Sequence, residues 1–464
     1  MKTIDKVDVN FFSSFLNSKQ IIELDELKNP YGKDETENLF YKPDLVLIPY
    51  STFEVSEILK YCNTNKIIVT PRGAGTGLSG GALPVFGGII LSLEKLNKII
   101  EIDTENMQAT VEPGVVNEAF QIEVQKAGLF YPPDPASKGS CFLGGNIAHS
   151  SGGPRAVKYG TTRDYILNLE VVLTTGEIIW TGANTLKYST GYNLTHLFIG
   201  SEGTLGVVTK IVVQLIPYPK NNVLMLVPFY TAEEACKAVN AVFLAGLNPS
   251  ALEFMERDAI DWTLKFVENV SVTIEDGIQA HLLIEYDGND LENLNIDAEK
   301  TFSVLENFKC GEILFADNEA QKNMLWKIRR SVAEAVKNNS FYKEEDTVVP
   351  RAFLPQLLAG VKSIGNKFGF KSVCYGHAGD GNLHVNIIKG DLSDEFWENG
   401  IHEGIEEIFI LCKKLKGTIS GEHGIGLVQK RYMHLVQGET QLELQRGIKK
   451  VFDPNGILNP GKIF

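Results

Sequence analysis

Between Thr70 and Gly81 the chain reads TPRGAGTGLSGG, and the five glycines in positions 73–81 constrain the fold more than any other feature. A tight turn needs only about one or two residues without a Cβ, so this segment does more than reverse the chain. Gly75, Gly77 and Gly80 satisfy G-x-G-x-x-G spacing, which in a dinucleotide-binding βαβ unit opens a helix. Here the glycines run into Ala82-Leu83-Pro84 and then an apolar stretch at 88–93, so the Rossmann context fails. No Lys-Ser/Thr pair follows, and the P-loop pattern fails too. What remains is a glycine-rich loop between strands, whose unshielded N–H groups can approach a pyrophosphate. The residues before it, 45–70, read as a β-α-β unit. Apolar 45–48 precedes Ser51-Thr52-Phe53-Glu54, whose spacing fits a capping box. Val55, Ile58, Leu59 and Cys62 then recur at helical spacing, ahead of β-branched 67–69.

A second small-residue system follows at 131–160. Tyr131-Pro-Pro-Asp-Pro-Ala-Ser137 and Leu143-Gly-Gly-Asn-Ile-Ala-His-Ser-Ser-Gly-Gly153 show little periodicity. The stretch is too long for an idle loop and too weakly charged for disorder. Its backbone donors and small side chains suit the flanks of a flat ring. Around it the pattern predicts a hairpin at 103–106, a helix at 117–126, a strand-turn-strand at 169–180 and a strand at 206–216. After Pro219 strands at 223–229, 281–286, 313–315, 371–375 and 384–388 alternate with helices beginning near 231, 298, 323, 353 and 401. That alternation suggests an α+β unit with helices on one face of a sheet, ferredoxin-like in type.

Length and charge bound the rest. A chain of 464 residues suggests two or three domains, and 44% apolar with 22% charged residues is a globular composition. The net charge of −14, with no Lys/Arg run longer than a pair, argues against nucleic acid and anionic membrane as partners. Six cysteines lie at least 38 residues apart, with no CxxC spacing. Neither a disulfide framework nor a cysteine-ligated zinc or iron–sulfur site is indicated, and a reducing compartment fits. No apolar signal-peptide core and no stretch of ~18 apolar residues occurs. The expectation is a cytoplasmic protein without a transmembrane segment, peripheral association with the inner face of the membrane being the alternative.

Gly376-His377-Ala-Gly-Asp380-Gly-Asn382-Leu-His384 and Ser420-Gly-Glu422-His423-Gly-Ile-Gly426 hold three of the eight histidines. His377 and His384 are seven residues apart, awkward for convergence on a straight strand, but Gly379-Asp380-Gly381 can bend the chain between them. Two imidazoles and a carboxylate form an N/O set suited to zinc, manganese or iron(II) with positions left open. Arg329 and Arg330 fall on a predicted helix. His149, His196, His281, His402 and His434 read as ordinary structural histidines.

At these motifs the chain resembles the FAD-linked oxidases with a PCMH-type flavin domain, in the group of glycolate oxidase D-subunits, FAD-dependent D-lactate dehydrogenases and D-2-hydroxyglutarate dehydrogenases. The matching strings are RGAGTGLSGG, YPPDPAS, GGNIAHSSGG, KYGTTRDY, GSEGTLGVVT, GHAGDGNLH, SGEHGIG and FDPNGILNPGK, in the family's order over about residues 40–464. The resemblance implies an N-terminal segment (1–40), a two-lobed flavin domain (41–219), a cap or substrate domain (220–420) and a C-terminal segment that completes the flavin site (421–464). It implies that Pro71, Arg72, Gly73, Ala74, Gly75, Thr76, Gly77, Leu78 and Ser79 cradle the FAD pyrophosphate. Pro133, Asp134, Ser137, Gly144, Gly145, Asn146, Ser150, Gly152 and Gly153 would line the ribityl and isoalloxazine. Gly160, Glu202, Gly203 and Val208 would sit near the adenine end, with Asn459 returning to the flavin. Residues 71–81 lack the His or Cys of covalent relatives, so non-covalent FAD is expected.

By the same resemblance His377, His384 and Glu422 bind one divalent metal, zinc first and manganese or iron as alternatives, with Asn382 nearby. His423 is the proton acceptor and Arg329 the substrate-carboxylate arginine. The family often has Thr-Asn-Ala where this chain has His149-Ser150-Ser151. The later basic position of the 2-hydroxyglutarate group falls on Glu344, which argues against a second substrate carboxylate. The expected reaction is oxidation of a small D-2-hydroxy acid, of the lactate, glycolate or 2-hydroxyglutarate class, to the 2-oxo acid. Electrons then leave to an external acceptor: a quinone, a cytochrome, an electron-transfer flavoprotein or O₂. A homodimer is one oligomeric option. The alternatives are a same-fold FAD enzyme of another substrate class such as an ether-lipid synthase, a flavin-free metallohydrolase, and a flavin-binding electron-transfer subunit.

Overall fold

The structure, a computed structural model, describes residues 2–268, 270 and 272–464. The chain forms two compact units that interleave in sequence. One takes the residues up to Gly152, then Thr161–Tyr218 and Glu422–Phe464; the other takes Gly153–Gly160 and Pro219–Gly421.

In the first unit, strands β1 (Ile21–Ile22), β2 (Leu45–Leu47), β3 (Val69–Arg72) and β4 (Ile89–Ser92) form a sheet in the order β1-β2-β4-β3. The β-α-β unit is present, with the helix Thr52–Asn65 between β2 and β3, but β4 lies between its two strands and runs parallel to both. Ile89, Ile90 and Leu91 are fully buried, as suits a central parallel strand covered on both faces. The glycine loop is therefore the crossover between neighbouring parallel strands β3 and β4. The helix buries Val55, Ile58, Leu59 and Cys62 against Leu45, Leu47, Val69 and Leu91. Only half of its capping box forms. Ser51 Oγ accepts from Glu54 N at 3.2 Å, while the Glu54 carboxylate accepts instead from Tyr50 N (2.6 Å) and Gln20 Nε2 (2.7 Å).

A second, antiparallel sheet has the order β5-β6-β10-β8-β9, from β5 (Ile99–Asp103), β6 (Gln108–Val111), β8 (Ile166–Val172), β9 (Ile178–Trp180) and β10 (Val207–Gln214). The two-residue strands β7 (Leu129–Phe130) and β11 (Ile216–Pro217) pair separately. Residues 131–160 contain two short helices, Leu143–His149 and Ala156–Tyr159, too brief and too glycine-rich for a period to register in sequence. The free edge of β3 is covered by residues 457–459: Val69 N donates to Ile457 O (2.9 Å) and Asn459 N donates to Val69 O (2.8 Å).

The second unit is built on seven antiparallel strands in the order β15-β12-β14-β13-β17-β18-β16. They are β12 (Asn221–Phe229), β13 (Ala251–Glu256), β14 (Ala280–Gly288), β15 (Leu314–Phe315), β16 (Tyr342–Val348), β17 (Lys371–Gly376) and β18 (Asn382–Ile388). Every residue of β14 except its terminal glycine is buried, so both faces of the sheet are covered, not one. The helix predicted at 323–337 is divided at Ser331 into Glu319–Arg330 and Val332–Asn339. Leu325, Ile328, Val332 and Val336 from these helices pack with Met255, Tyr375 and Tyr342 of the sheet. Register aligns Pro228, His281, Met255, Tyr375, His384 and Asp346 in one row across six strands. Side chains of one row share a face, and this row sets up the chemistry of the unit.

Candidate functional site

Two regions bring the sequence motifs together, one in each unit. In the first, residues 71–78 of the glycine loop line an open cavity, shared with Ser137, Gly144, Gly145, Asn146, Ser151, Glu202, Gly203, Val208, Glu422 and His423. Gly75 shows why the loop needs glycine. Its φ is +77°, and a Cβ there would lie 2.1 Å from Arg72 Nη2, so the guanidinium occupies the space a side chain would take. Gly144 is packed so tightly that a Cβ would meet Pro113 Cβ at 2.6 Å.

The segment after Gly421 is held to this cavity by a buried carboxylate. Glu202 accepts from Ile425 N and from Gly426 N, each at 2.7 Å. Burial raises its pKa above the usual carboxylate value despite these donors and nearby His149. Glu422 accepts from Gly152 N at 3.1 Å. Asn459 does not line the cavity. It donates from Nδ2 to Gly81 O (3.0 Å) and Glu202 O (2.8 Å), tying together two segments that do. Ser79, Pro133, Asp134, Ser150 and Gly152 also lie outside the lining, while Gly153 and Gly160 bound the short segment that belongs to the second unit.

In the second unit, β17 and β18 are joined by a turn at Ala378–Asp380 that ends on Gly381 (φ +86°). The turn brings His377 and His384 to a ring-centroid separation of 5.3 Å with planes 84° apart. Glu253, fully buried on β13, lies 2.8 and 3.0 Å from His377 Nδ1 through its two oxygens. Its Oε2 is also 2.7 Å from Arg329 Nη2, an ion pair and not an aligned hydrogen bond. Burial alone raises the Glu253 pKa, but His377 and Arg329 outweigh it and the carboxyl sits below its ordinary value. Arg329 is 6% exposed and faces the Tyr375 ring at 5.2 Å. Glu344 lies 3.4 Å from His384 Nδ1 and 3.5 Å from the Tyr375 hydroxyl. Asp346 accepts from Ser420 Oγ (3.0 Å), Gly421 N (2.8 Å) and Asn382 Nδ2 (2.7 Å).

A family model described as "FAD binding domain" matches residues 43–182, and one described as "FAD linked oxidases, C-terminal domain" matches residues 218–463. The chain belongs to the FAD-linked oxidases. It is 39% identical to a D-lactate dehydrogenase of Anaerostipes hadrus, with 96% of this chain and 94% of the relative aligned. It is 37% identical to the glycolate oxidase subunit GlcD of Bacillus subtilis (strain 168), over 94% and 92% of the two chains. It is 34% identical to a D-2-hydroxyglutarate dehydrogenase of Xanthomonas citri pv. viticola, again over 94% and 92%. Among solved structures, p-cresol methylhydroxylase matches with a TM-score of 0.80 at 19% identity, covering 99% of this chain and 97% of the other. The fold is the α+β, PCMH-type FAD-binding fold.

The first unit fits FAD in its own atoms. Arg72 Nη1, Ser79 Oγ and His149 Nδ1 are buried at or beside the cavity and have no hydrogen-bond partner among the described residues. Such groups are costly unless a polar ligand meets them. His149, read from sequence as structural, lines this cavity; its place inside GGNIAHSSGG was the available signal. Glu253 and Asp346 were also missed. Glu253 was visible as an acid set between Leu252 and Phe254 in strand ALEFME, whereas YKEEDTV reads as a solvated segment and forms β16 with Glu345 and Asp346 buried.

Proposed function

We propose that this FAD-linked oxidase oxidises a small D-2-hydroxy acid to the 2-oxo acid. The observation that carries the reading is Arg329, a buried guanidinium whose Nε has no partner among the described residues, beside the His377–Glu253 pair. Its planar fork would orient the substrate carboxylate. The relatives named for D-lactate, glycolate and D-2-hydroxyglutarate support the substrate class.

Bound FAD would supply the two-electron acceptor, taking the substrate's C2 hydrogen as hydride. The second unit's own chemistry fits a cation: two imidazoles stand among Glu253, Glu344 and Asp346, with Arg329 as the buried guanidinium there. His377 and His384, to which the sequence resemblance adds Glu422, would hold zinc, or manganese or iron, and so lower the pKa of the substrate hydroxyl. His423 would take the hydroxyl proton as general base. The Glu344 charge beside His384 disfavours a second carboxylate, so lactate and glycolate are better candidates than 2-hydroxyglutarate. Electrons would then pass to an external quinone, cytochrome, electron-transfer flavoprotein or O₂. Among the described residues no helix is long and apolar enough to cross a membrane.

Anaerobic addition of D- and L-2-hydroxy acids to the holoenzyme tests this. One or more D-acids should bleach the flavin, chelation should abolish the bleaching, and added zinc or manganese should restore it. A flavin that no 2-hydroxy acid bleaches in metal-replete protein sinks the proposal.

A further inference from the structure

The helix Glu319–Arg330 carries the proposed substrate arginine and packs on the seven-stranded sheet through Leu325 and Ile328. Apolar packing is non-directional and leaves such a helix free to roll, so polar contacts must set its angle. Residues three apart on a helix are surface neighbours, and Trp326 and Arg329 each end on a buried acid of the sheet. Arg329 Nη2 lies 2.7 Å from Glu253 Oε2, and Trp326 Nε1 donates to Glu285 Oε2 at 2.6 Å. The register sets Ala251 opposite Glu285 and Glu253 opposite Leu283. The two acids therefore stand on one face of adjacent strands, two residues out of step.

Glu285 is fully buried, and a carboxylate there needs a cation. Arg155 provides it: Nη2 is 3.2 Å from Glu285 Oε1, while Nη1 is 3.0 Å from Asp287 Oδ2. Asp287 in turn accepts from Lys158 Nζ at 2.6 Å and from the Tyr159 hydroxyl at 2.7 Å. Two carboxylates thus meet two cations, and the cluster is closed electrically, with no charge to offer a substrate. Arg155, Lys158 and Tyr159 all come from residues 153–160, the short piece between Gly152 and Thr161 that belongs to the second unit. Lys158 and Tyr159 of the KYGTTRDY motif have no place in the proposed chemistry; here they gain one.

We infer that Glu285 is a positioning residue for Arg329. It holds the Trp326 indole, and through it the angle of the helix that presents the guanidinium, while Arg155 makes that buried acceptor tenable. Glu253 fixes the head of Arg329, and Glu285 fixes the backbone from which it projects. Alignment of the substrate carboxylate is therefore sensitive to Arg155, whose own charge is spent on two carboxylates. This rests on the role proposed above for Arg329.

Oxalate, an unreactive analogue of a 2-oxo acid, serves as the probe, titrated by calorimetry into the FAD- and metal-loaded protein. Trp326→Phe keeps an aromatic ring and removes the donor. Oxalate should then bind about tenfold more weakly, within the ~10²-fold that misplacing a binding group can cost, with FAD content unchanged. In an Arg329→Lys background the same change should add less than about twofold, because its effect passes through the guanidinium. Unchanged binding by Trp326→Phe overturns the inference, and so do effects that multiply fully, the mark of a general packing defect. Arg155→Met should also weaken oxalate binding by stranding the Glu285 charge. Adding Glu285→Gln to that variant should restore affinity to within about threefold of wild type, since the glutamine oxygen still accepts from Trp326; no rescue overturns the inference. If Arg155→Met fails to fold, the Trp326 and Arg329 cycle decides without it. Wild-type holoenzyme that binds no oxalate would strike at the proposed function itself, and this inference would fall with it.

Discussion

His281 offers a sharp test of how the second unit handles a buried ionisable group. It lies on β14 between Pro228 and Met255, is 2% exposed, and its Nδ1 has no hydrogen-bond partner among the described residues. Burial, reinforced by Arg257 and opposed by Asp261, lowers its pKa from 6.5 to about 4. In the unfolded chain the ring takes up a proton near pH 6.5, whereas in the folded chain it stays neutral until about pH 4. Between those values the unfolded state binds more protons, so stability rises with pH through this window and is lost as pH falls. From pH 7 to pH 5 the loss from this one group is about 2 kcal/mol, at ~1.4 kcal/mol for each pH unit below the unfolded pKa. His281→Phe removes the titration and the orphaned nitrogen while keeping an aromatic ring in the row. Denaturant unfolding of both proteins at pH 7 and pH 5, followed by far-ultraviolet circular dichroism, should show the variant gaining about 2 kcal/mol on the wild type at the lower pH. Parallel pH dependences would refute the reasoning, since the ring would then titrate equally in both states.

Three further outcomes follow from particular contacts. Asp346→Ala removes the carboxylate that accepts from Ser420 Oγ, Gly421 N and Asn382 Nδ2, leaving Gly421 N only the Asp346 backbone carbonyl and Asn382 Nδ2 only Thr347 O; it should cost about 2 kcal/mol and cut kcat at least ~10-fold by loosening the residues just before Glu422, with FAD content retained. An unchanged kcat would deny Asp346 that role. Gly424→Ala places a Cβ 2.5 Å from His149 Nδ1 at a φ of +81°; FAD affinity, read by flavin fluorescence, should weaken, and His149→Ala in the same chain should restore part of it. Equal affinity in all three proteins would remove His149 from the cavity. Acid precipitation should release all the flavin into the supernatant, because residues 71–81 contain no His or Cys; yellow pellets would show a covalent bond.

The parts of this protein that are legible in its sequence are those whose local chemistry is unusual. Five glycines in positions 73–81 announced a backbone cradle, and the structure puts residues 71–78 around the cavity. The Gly379-Asp380-Gly381 bend was enough to expect His377 and His384 to meet, and they do. Position of β4 between β2 and β3 was not legible, because strand order depends on pairing partners far apart in the chain. β16 was hidden for another reason. Glu344, Glu345 and Asp346 look like a hydrated surface run, yet Glu344 and Asp346 find the His384 imidazole, and Asp346 also Gly421 N–H and Ser420, inside the fold. Charge patterns report solvation only until a partner from elsewhere in the fold replaces the water.

Completion of the β3 edge by residues 457–459 governs how the protein is made. Asn459 and its partner Gly81 are separated by 378 residues, which a ribosome adding ~5–20 residues per second takes roughly 20–75 s to bridge. Throughout that interval β3 presents an unpaired edge, open to illegitimate pairing, while β12 through β18 have all emerged. The second unit therefore has every strand it needs before the β3 edge can be covered, and it is expected to fold ahead of the first. Nascent chains arrested with residues 457–459 still inside the ribosome should hold a structured second unit yet retain no FAD, and extension that brings those residues out should let the flavin in. Supply of the cofactor then matters most as residues 457–459 become available, when a waiting half-closed cradle either captures its ligand or becomes a substrate for the proteases.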